Sequence, residues 1–287
     1  MCGLFGAIGE TINPGTIRAL AVANIERGDD SLGFFSNSGK MCKQASPVLD
    51  CLAEPVFADY INGACTKGWF LAGHTRHTTH GNVTKRNAHP FRFGRIIGSH
   101  NGVVKYPKDR KYQVDSEYLF DQLKRHNGDY QAALADVSGY WGLSWFDGSD
   151  FYLQAHNNTI AYAYDDCGTC YYSSDETHLL ACGDFRDEFG ILADGGTLRF
   201  DCSGAVEELE PFVSNIKGQP SRADIMATRP SSDIRSNYSS DEEMLADFRA
   251  GCANGFNDPA ELFSKECDPK DDWLNAADWD DYTKDFN

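Results

Sequence analysis

The chain has 287 residues, and its content of 41% hydrophobic and 13% aromatic residues is typical of a globular protein with a sizeable core. The formal net charge of −17 argues against a general nucleic-acid binder, which needs a basic face. No apolar run approaches the ~20 residues of a membrane helix, and the N-terminus lacks the basic and apolar regions of a signal peptide. We therefore expect a cytoplasmic protein that binds neither nucleic acid nor a membrane.

The first predicted element is a glycine-rich apolar strand that begins with a cysteine directly after the initiator methionine. Removal of Met1 would give Cys2 both a thiol and a free α-amine, with reference pKa values of roughly 8.5 and roughly 7.7–8.0. The amine could then act as the base for its own nucleophile near neutral pH. The alternative interpretation is a small buried hydrophobic residue in a first strand.

A helix is predicted next, because Asn13 and Pro14 suit the N-cap and the first helical position. Its apolar positions follow at helical spacing up to Gly28: Ile17, Leu20, Ala21 and Ile25. Short strand-like runs then lie at 69–72, 95–99, 141–146, 151–155, 162–164, 179–182 and 197–200, with helical stretches at 116–125 and 130–137. Many strands and few helices, the helices in blocks, predict an α+β fold with a core built on stacked sheets.

The composition changes after residue 210. The segment 211–287 is rich in Gly, Pro and Ser, and it has eight basic against sixteen acidic residues, a net charge of −8. Capping boxes that begin at Ser240 and Asp258 predict two helices. The acidic, aromatic end is either a solvated tail or a docking segment for a basic surface. We predict a domain at 2–210, followed by a linker and an acidic, partly helical tail.

Ten cysteines could form a disulfide scaffold, but the length and the missing export signal favour reduced thiols. Cys167 and Cys170 are the one pair with metal-like spacing. A zinc site would need a second suitable pair. The same residues are typical of a turn between strands at 160–164 and 171–173, which is the interpretation we favour.

Four polar groups complement a thiol that attacks an amide. Asn101 and Gly102 can supply a side-chain N–H and a backbone N–H for the oxyanion. Arg76 can bind a carboxylate through two parallel hydrogen bonds, and Asp115 can meet an ammonium group. We expect these groups at the ends of strands or helices. Together with Cys2 they fit an α-amino acid that has a side-chain amide, and glutamine is such a molecule.

Six motifs occur in the order of a known family. They are Cys-Gly-x-x-Gly from Cys2, Arg-Gly-x-Asp-Ser-x-Gly from Arg27, Gly-His-Thr-Arg-x-x-Thr-His-Gly from Gly73, Asn-Ala-His-Pro from Asn87, His-Asn-Gly from His100 and Asp-Ser-Glu from Asp115. The chain thereby resembles the class II glutamine amidotransferase domain, an N-terminal-nucleophile hydrolase. Among its branches it is most similar to the glutaminase domain of glucosamine-6-phosphate synthase. The phosphoribosyl-pyrophosphate amidotransferase and asparagine synthetase branches fit less well.

This resemblance implies a four-layer α/β/β/α sandwich with a short acidic C-terminal extension. It implies hydrolysis of L-glutamine to glutamate and ammonia through a γ-glutamyl thioester, with no cofactor. The roles it implies are catalysis by Cys2, Asn101 and Gly102, substrate binding by Arg76, Thr79, His80 and Asp115, and support by Arg27 and His77. His77 stands where the family usually has tryptophan, which puts lid packing or coupling to a partner site in doubt.

Further expectations concern metals and partners. His74, His77 and His80 are spaced three residues apart, but on a strand leading into a loop they alternate faces, so we predict no metal site. His89 and His100 are expected to make structural hydrogen bonds or to line the pocket. The residues after 210 fall short of an acceptor domain of roughly 100–150 residues, so we expect a separate ammonia-accepting synthase. The alternatives are a cysteine amidohydrolase for another γ-glutamyl amide and a non-catalytic interaction protein that uses the acidic tail.

Overall fold

The protein is represented by a computed structural model that describes residues 2–78, 81–107, 111–186, 189–192 and 194–216. Two of the predicted substrate-binding residues, Thr79 and His80, lie outside these ranges. The two predicted helices of the tail and its acidic end also lie outside them.

The described residues contain thirteen strands and six α-helices. The strands are β1 (Gly3–Ile8), β2 (Ser31–Ser36), β3 (Met41–Gln44), β4 (Phe70–Arg76), β5 (Phe91–Phe93), β6 (Ile96–Val104), β7 (Gly139–Phe146), β8 (Phe151–His156), β9 (Ile160–Tyr164), β10 (Cys170–Ser173), β11 (Phe189–Leu192), β12 (Thr197–Phe200) and β13 (Val206–Glu208). The helices are α1 (Pro14–Ala23), α2 (Val48–Ala53), α3 (Pro55–Lys67), α4 (Asp115–Arg125), α5 (Tyr130–Leu134) and α6 (Glu176–Ala181).

The strands form two sheets, and all strand pairs in them are antiparallel. The seven-stranded sheet has the order β11-β9-β10-β1-β4-β2-β3, and the six-stranded sheet has the order β13-β12-β8-β7-β6-β5. The predicted mixture of helices and a strand-rich core is therefore confirmed. Six of the seven strand-like runs overlap observed strands, and both helical stretches overlap observed helices.

Three apolar clusters hold these elements together. The first joins α1, α2, α3 and α6 to the seven-stranded sheet, for example Leu20 and Phe57 to Phe34. The second contains side chains of both sheets, such as Phe70 and Phe151, whose ring centroids lie 4.5 Å apart. The third joins α4 and α5 to the six-stranded sheet. Burial of apolar area in such clusters is the main favourable term in folding.

Helix α1 forms as predicted. The Asn13 side chain accepts hydrogen bonds from the backbone N–H groups of Gly15 and Thr16, and Pro14 occupies the start of the helix. The buried face consists of Ile17, Leu20 and Ala21. A short 3-10 helix, Asn24–Arg27, continues α1 up to the predicted end at Gly28.

The predicted strand at 179–182 is wrong, because these residues lie in or directly after α6. The Asp175 side chain accepts a hydrogen bond from the Thr177 N–H and so caps a helix just before the apolar run. Leu179 is buried, whereas Leu180 is 49% exposed, as expected for one apolar face of a surface helix. A short apolar run alone does not distinguish helix from strand.

Two strands that contain predicted site residues continue well past their predicted ends. Strand β4 continues to Arg76, and β6 continues to Val104, which pairs with Gly139 of β7. Asn101 and Gly102 therefore lie within β6 rather than after its end. The ladder to β7 is what extends the strand, and the sequence near Asn101 does not reveal it.

The segment around Cys167 is a turn, as favoured above. The Asp165 side chain accepts hydrogen bonds from the N–H groups of Cys167 and Thr169, and Gly168 has a φ of +81°. A φ in this range suits glycine because it has no Cβ. The eight cysteines in the described ranges are free. Within the same ranges no group of three or more His, Cys, Asp or Glu side chains could hold a metal ion.

The chain directly after residue 210 still packs on the folded domain. Phe212 is buried in the third cluster, with its ring centroid 5.7 Å from that of Trp141. The Asn215 N–H donates to the Ala135 carbonyl at 2.8 Å. None of the helices described is long and apolar enough to cross a bilayer.

Candidate active site

Cys2 precedes β1 in the middle of the seven-stranded sheet, where the next residue, Gly3, pairs with Thr75 of β4. The Cys2 Sγ accepts a hydrogen bond from the His77 N–H at 3.4 Å and lies 3.6 Å from the His77 carbonyl oxygen. The Arg27 Nε donates to the Cys2 carbonyl at 2.9 Å. The thiol and the carbonyl of Cys2 are thus held by two different residues, His77 and Arg27.

The thiol of Cys2 sits in an environment that opposes its ionisation. Burial raises its pKa, and the hydrogen bond from His77 and the nearby positive charge of Arg76 lower the pKa by less than burial raises it. The carboxylate of Asp115 adds to the increase. Because a free cysteine already has a pKa of roughly 8.5, this thiol is protonated at neutral pH and needs a base to react.

A pocket opens beside Cys2. Its lining consists of Cys2, Arg76, His77, Asn87, His89, His100, Gly102, Val114, Asp115 and Ser116. The structure therefore brings together five of the predicted site residues. Two more predicted residues are next to lining residues: Asn101 precedes Gly102 in β6, and Arg27 donates a hydrogen bond to the Cys2 carbonyl.

Arg76 is the last residue of β4, and its side chain is buried. Its Nη1 donates to the Asn82 carbonyl at 3.2 Å. Burial lowers the pKa of the guanidinium, but an arginine stays charged at neutral pH. The backbone near Arg76 is crowded, because a Cβ on Gly28 would lie 2.3 Å from the Arg76 carbonyl carbon. Glycine at this position of the second motif lets the chain after α1 lie against the end of β4.

Asp115 begins α4, and its carboxylate is fixed by the backbone. Its Oδ2 accepts from the Val104 N–H at 3.1 Å, and its Oδ1 accepts from the Ser116 N–H at 3.0 Å. A negative charge is favourable at a helix N-terminus. The pocket thus has a fixed cation at Arg76 and a fixed anion at Asp115 on its wall.

Asn101 and Gly102 are neighbours in β6, and Gly102 lines the pocket. The Asn101 Nδ2 is buried and has no hydrogen-bond partner among the described residues. Its backbone carbonyl accepts from the Asn158 Nδ2 at 3.2 Å. At Gly102 a Cβ would lie 2.1 Å from the Tyr140 carbonyl oxygen, so only glycine fits. A buried donor without a partner costs free energy, and a bound oxygen atom would remove that cost.

Three buried histidines lie at or next to the pocket: His89 and His100 line it, and His74 contacts His100. His89 Nε2 and His100 Nδ1 each lie 3.0 Å from the Ser116 Oγ, and His74 Nε2 lies 3.1 Å from the His100 carbonyl oxygen. Burial lowers the pKa of all three, that of His74 to about 3. His89 and His100 both make hydrogen bonds and line the pocket, as expected. The role of Ser116 was missed, although the Asp-Ser-Glu motif contains it.

The buried neutral histidines predict an acid-sensitive fold. Between pH about 6.5 and about 3 the unfolded chain protonates at position 74 and the folded chain does not, so the free energy of unfolding falls as the pH falls. His74→Gln removes one such proton. In chemical denaturation between pH 6.5 and 4.5, the free energy of unfolding of this variant should fall less steeply with falling pH than that of the wild type. The two slopes should differ by about 1.4 kcal/mol per pH unit. Equal slopes would contradict a neutral buried His74.

Comparison with known proteins finds relatives of this sequence but no matching family model. A glutamine–fructose-6-phosphate aminotransferase (isomerizing) of Bradyrhizobium diazoefficiens is 31% identical over 219 residues, which are 68% of this chain and 34% of that enzyme. The enzyme of the same name from Lactococcus lactis is 28% identical over 193 residues, 63% of this chain and 30% of that enzyme. The chain thus spans about a third of the length of these relatives.

Solved structures share the fold. Glutamine phosphoribosylpyrophosphate amidotransferase from B. subtilis, complexed with ADP and GMP, matches with a TM-score of 0.58 and 17% identity over 75% of this chain and 50% of that chain. A structure described as the allosteric regulatory enzyme of purine biosynthesis matches with a TM-score of 0.59 and 18% identity, with the same coverage of both chains. At this identity the likeness concerns the fold alone.

Fold and relatives together define a class II glutamine amidotransferase domain of the N-terminal-nucleophile type. The chain belongs to this family, and its homologues are the glutamine–fructose-6-phosphate aminotransferases. The resemblance predicted from the six motifs is confirmed.

Proposed function

We propose that the chain hydrolyses L-glutamine to glutamate and ammonia, with Cys2 as the nucleophile after removal of Met1. One observation carries the proposal: a single pocket is lined by the Cys2 thiol, the Arg76 guanidinium and the Asp115 carboxylate. The α-carboxylate and α-ammonium of an amino acid complement the two fixed charges. A side-chain amide on the same molecule would then face the thiol.

The chemistry follows from the groups present. The free α-amine of Cys2 takes the thiol proton, and Sγ attacks the side-chain carbonyl carbon of glutamine. Asn101 Nδ2 and the Gly102 N–H donate to the oxyanion. The C–N bond then breaks, and ammonia leaves with the proton that the amine returns. Water attacks the resulting γ-glutamyl thioester, the S–C bond breaks, and glutamate and the free thiol are released.

The carboxylate clamp can be tested with Arg76→Lys. Lysine keeps the charge but loses the two parallel donors, so kcat/KM for glutamine should fall by about 10²-fold, mainly through a higher KM. Arg95→Lys is a matched control, because the exposed Arg95 donates to the Asn127 carbonyl and does not line the pocket. Steady-state glutamate release measures both. A KM within twofold of the wild-type value would contradict a clamp at Arg76.

The head-group specificity separates glutamine from other amides. We expect glutamine to be hydrolysed much faster than its N-acetyl derivative, which lacks the ammonium, or its α-carboxamide, which lacks the carboxylate. Equal rates with N-acetylglutamine would show that Asp115 does not bind an ammonium group. A γ-glutamyl compound that is hydrolysed faster than glutamine would favour the alternative amidohydrolase function.

We further propose the wider organisation around this site. In this proposal the glutaminase domain spans residues 2–210, as a four-layer α/β/β/α sandwich in the cytoplasm, and 211–287 form the linker and acidic tail. The first residues of the linker, such as Phe212 and Asn215, still pack on the domain. The order of the three apolar clusters supports the layering. The names of the relatives support transfer of the ammonia to an acceptor, for which we propose a separate synthase.

A further inference from the structure

The contact at the Cys2 carbonyl leads to a charge pair between the buried Arg27 and the partly exposed Asp175. Arg27 is only 5% exposed, and while its Nε donates to the Cys2 carbonyl, its Nη1 pairs with the Asp175 Oδ2 at 2.8 Å. A buried guanidinium is costly without a counter-charge. Asp175 is the one acid that forms a salt bridge with Arg27 among the residues described.

Asp175 makes two separate connections, one with each carboxylate oxygen. While Oδ2 binds Arg27, Oδ1 accepts from the N–H and the hydroxyl of Thr177 and so caps α6. Burial alone would raise the pKa of Asp175, but His178, Thr177 and Arg27 together lower it, so the carboxylate is charged at neutral pH.

Ser174, the residue before Asp175, holds β1 two residues after Cys2. The Ser174 N–H donates to the Leu4 carbonyl at 2.7 Å, and the Ser174 Oγ accepts from the Leu4 N–H at 3.0 Å. The junction of β10 and α6 therefore anchors Leu4 directly and Cys2 through Arg27. A terminal residue has no preceding peptide to fix it, so the contact at its carbonyl helps to set the direction of its side chain.

We infer that Asp175 is a positioning residue for the Cys2 nucleophile: its carboxylate fixes Arg27, and Arg27 fixes the Cys2 carbonyl. This inference rests on the proposed function. It gives a role to a residue that none of the six motifs contains and that lies 173 positions from the nucleophile in sequence.

The test uses Asp175→Asn in the full-length chain. Asparagine caps a helix as well as aspartate does, so the Thr177 bond is kept while the charge facing Arg27 is lost. The saturating rate of inactivation by 6-diazo-5-oxo-L-norleucine should fall by about 10²-fold, the effect of a misplacement of about 1 Å. The concentration for half-maximal rate should not change, because Arg76 and Asp115 are untouched.

Asp129→Asn is the matched control. Asp129 caps α5 by accepting from the Ala132 N–H and does not line the pocket, so its variant should inactivate at the wild-type rate. A wild type that forms no adduct would refute the proposed function itself. If the wild type reacts and the Asp175→Asn protein reacts with the same saturating rate, only the positioning role is overturned.

A double-mutant cycle shows whether Asp175 acts through Arg27. Arg27→Met removes the buried charge, and adding Asp175→Asn to it should slow inactivation no further, because coupled residues are not additive. An inactivation rate that is tenfold lower in the double variant than in Arg27→Met would show that Asp175 does not act through Arg27. The comparison of Arg27→Met with the double variant can still be made if Asp175→Asn alone does not fold. Both of these proteins lack the guanidinium at position 27, so neither buries it without a counter-charge.

Discussion

Replacement of Cys2 by alanine should reduce glutamate release from glutamine by about 10⁶-fold or to background, the size of loss found when the nucleophile of a serine protease is removed. Alanine is as small as cysteine, so removal of Met1 and the free α-amine are kept while the attacking sulfur is lost. Mass spectrometry of released glutamate measures the effect. Cys167→Ala, at an exposed cysteine in the turn before β10, should keep wild-type activity. Full activity in Cys2→Ala would show that another group attacks the amide.

Replacement of Asn101 by alanine should lower kcat by about 10²–10³-fold, which corresponds to about 2.7–4 kcal/mol of transition-state stabilisation. Its Nδ2 is buried and has no hydrogen-bond partner among the described residues, so it is free to donate to an oxyanion. That charge develops only in the transition state, so KM should change little.

Asn62→Ala is the control for Asn101→Ala. Asn62 lies on α3, where its side chain accepts from Arg18 and does not line the pocket, so kcat should stay at the wild-type value. A higher KM with an unchanged kcat in Asn101→Ala would place Asn101 on the bound substrate rather than on the oxyanion.

Local signals in the sequence were sufficient for some of this structure. Asn13 and Pro14 predicted the start of α1 because a cap acts on the next few residues only. The five predicted site residues that line the pocket could be found because each lies in a short motif, and the fold then brings the motifs together. The apolar run at 179–182 was misassigned because its periodicity is short, and the cap at Asp175 that decides it lies four residues earlier.

Long-range contacts were beyond local signals. Asn158 donates to the Asn101 carbonyl across 57 positions, and Asp175 pairs with Arg27 across 148 positions. The residues around Asn158 and Asp175 in the sequence form no pattern that predicts these two contacts. The glycine of the His-Asn-Gly motif shows the same limit: the motif contains Gly102, but only the ladder to β7 reveals that the Tyr140 carbonyl leaves no room for a Cβ.

The most direct test of the account is the intact mass of the purified protein before and after reaction with 6-diazo-5-oxo-L-norleucine. This glutamine analogue has both charged groups of the substrate and an electrophilic carbon for the thiol. The account predicts loss of Met1 and one adduct per chain, absent in Cys2→Ala. Retained Met1 and no adduct would contradict a processed, glutamine-recognising nucleophile at Cys2.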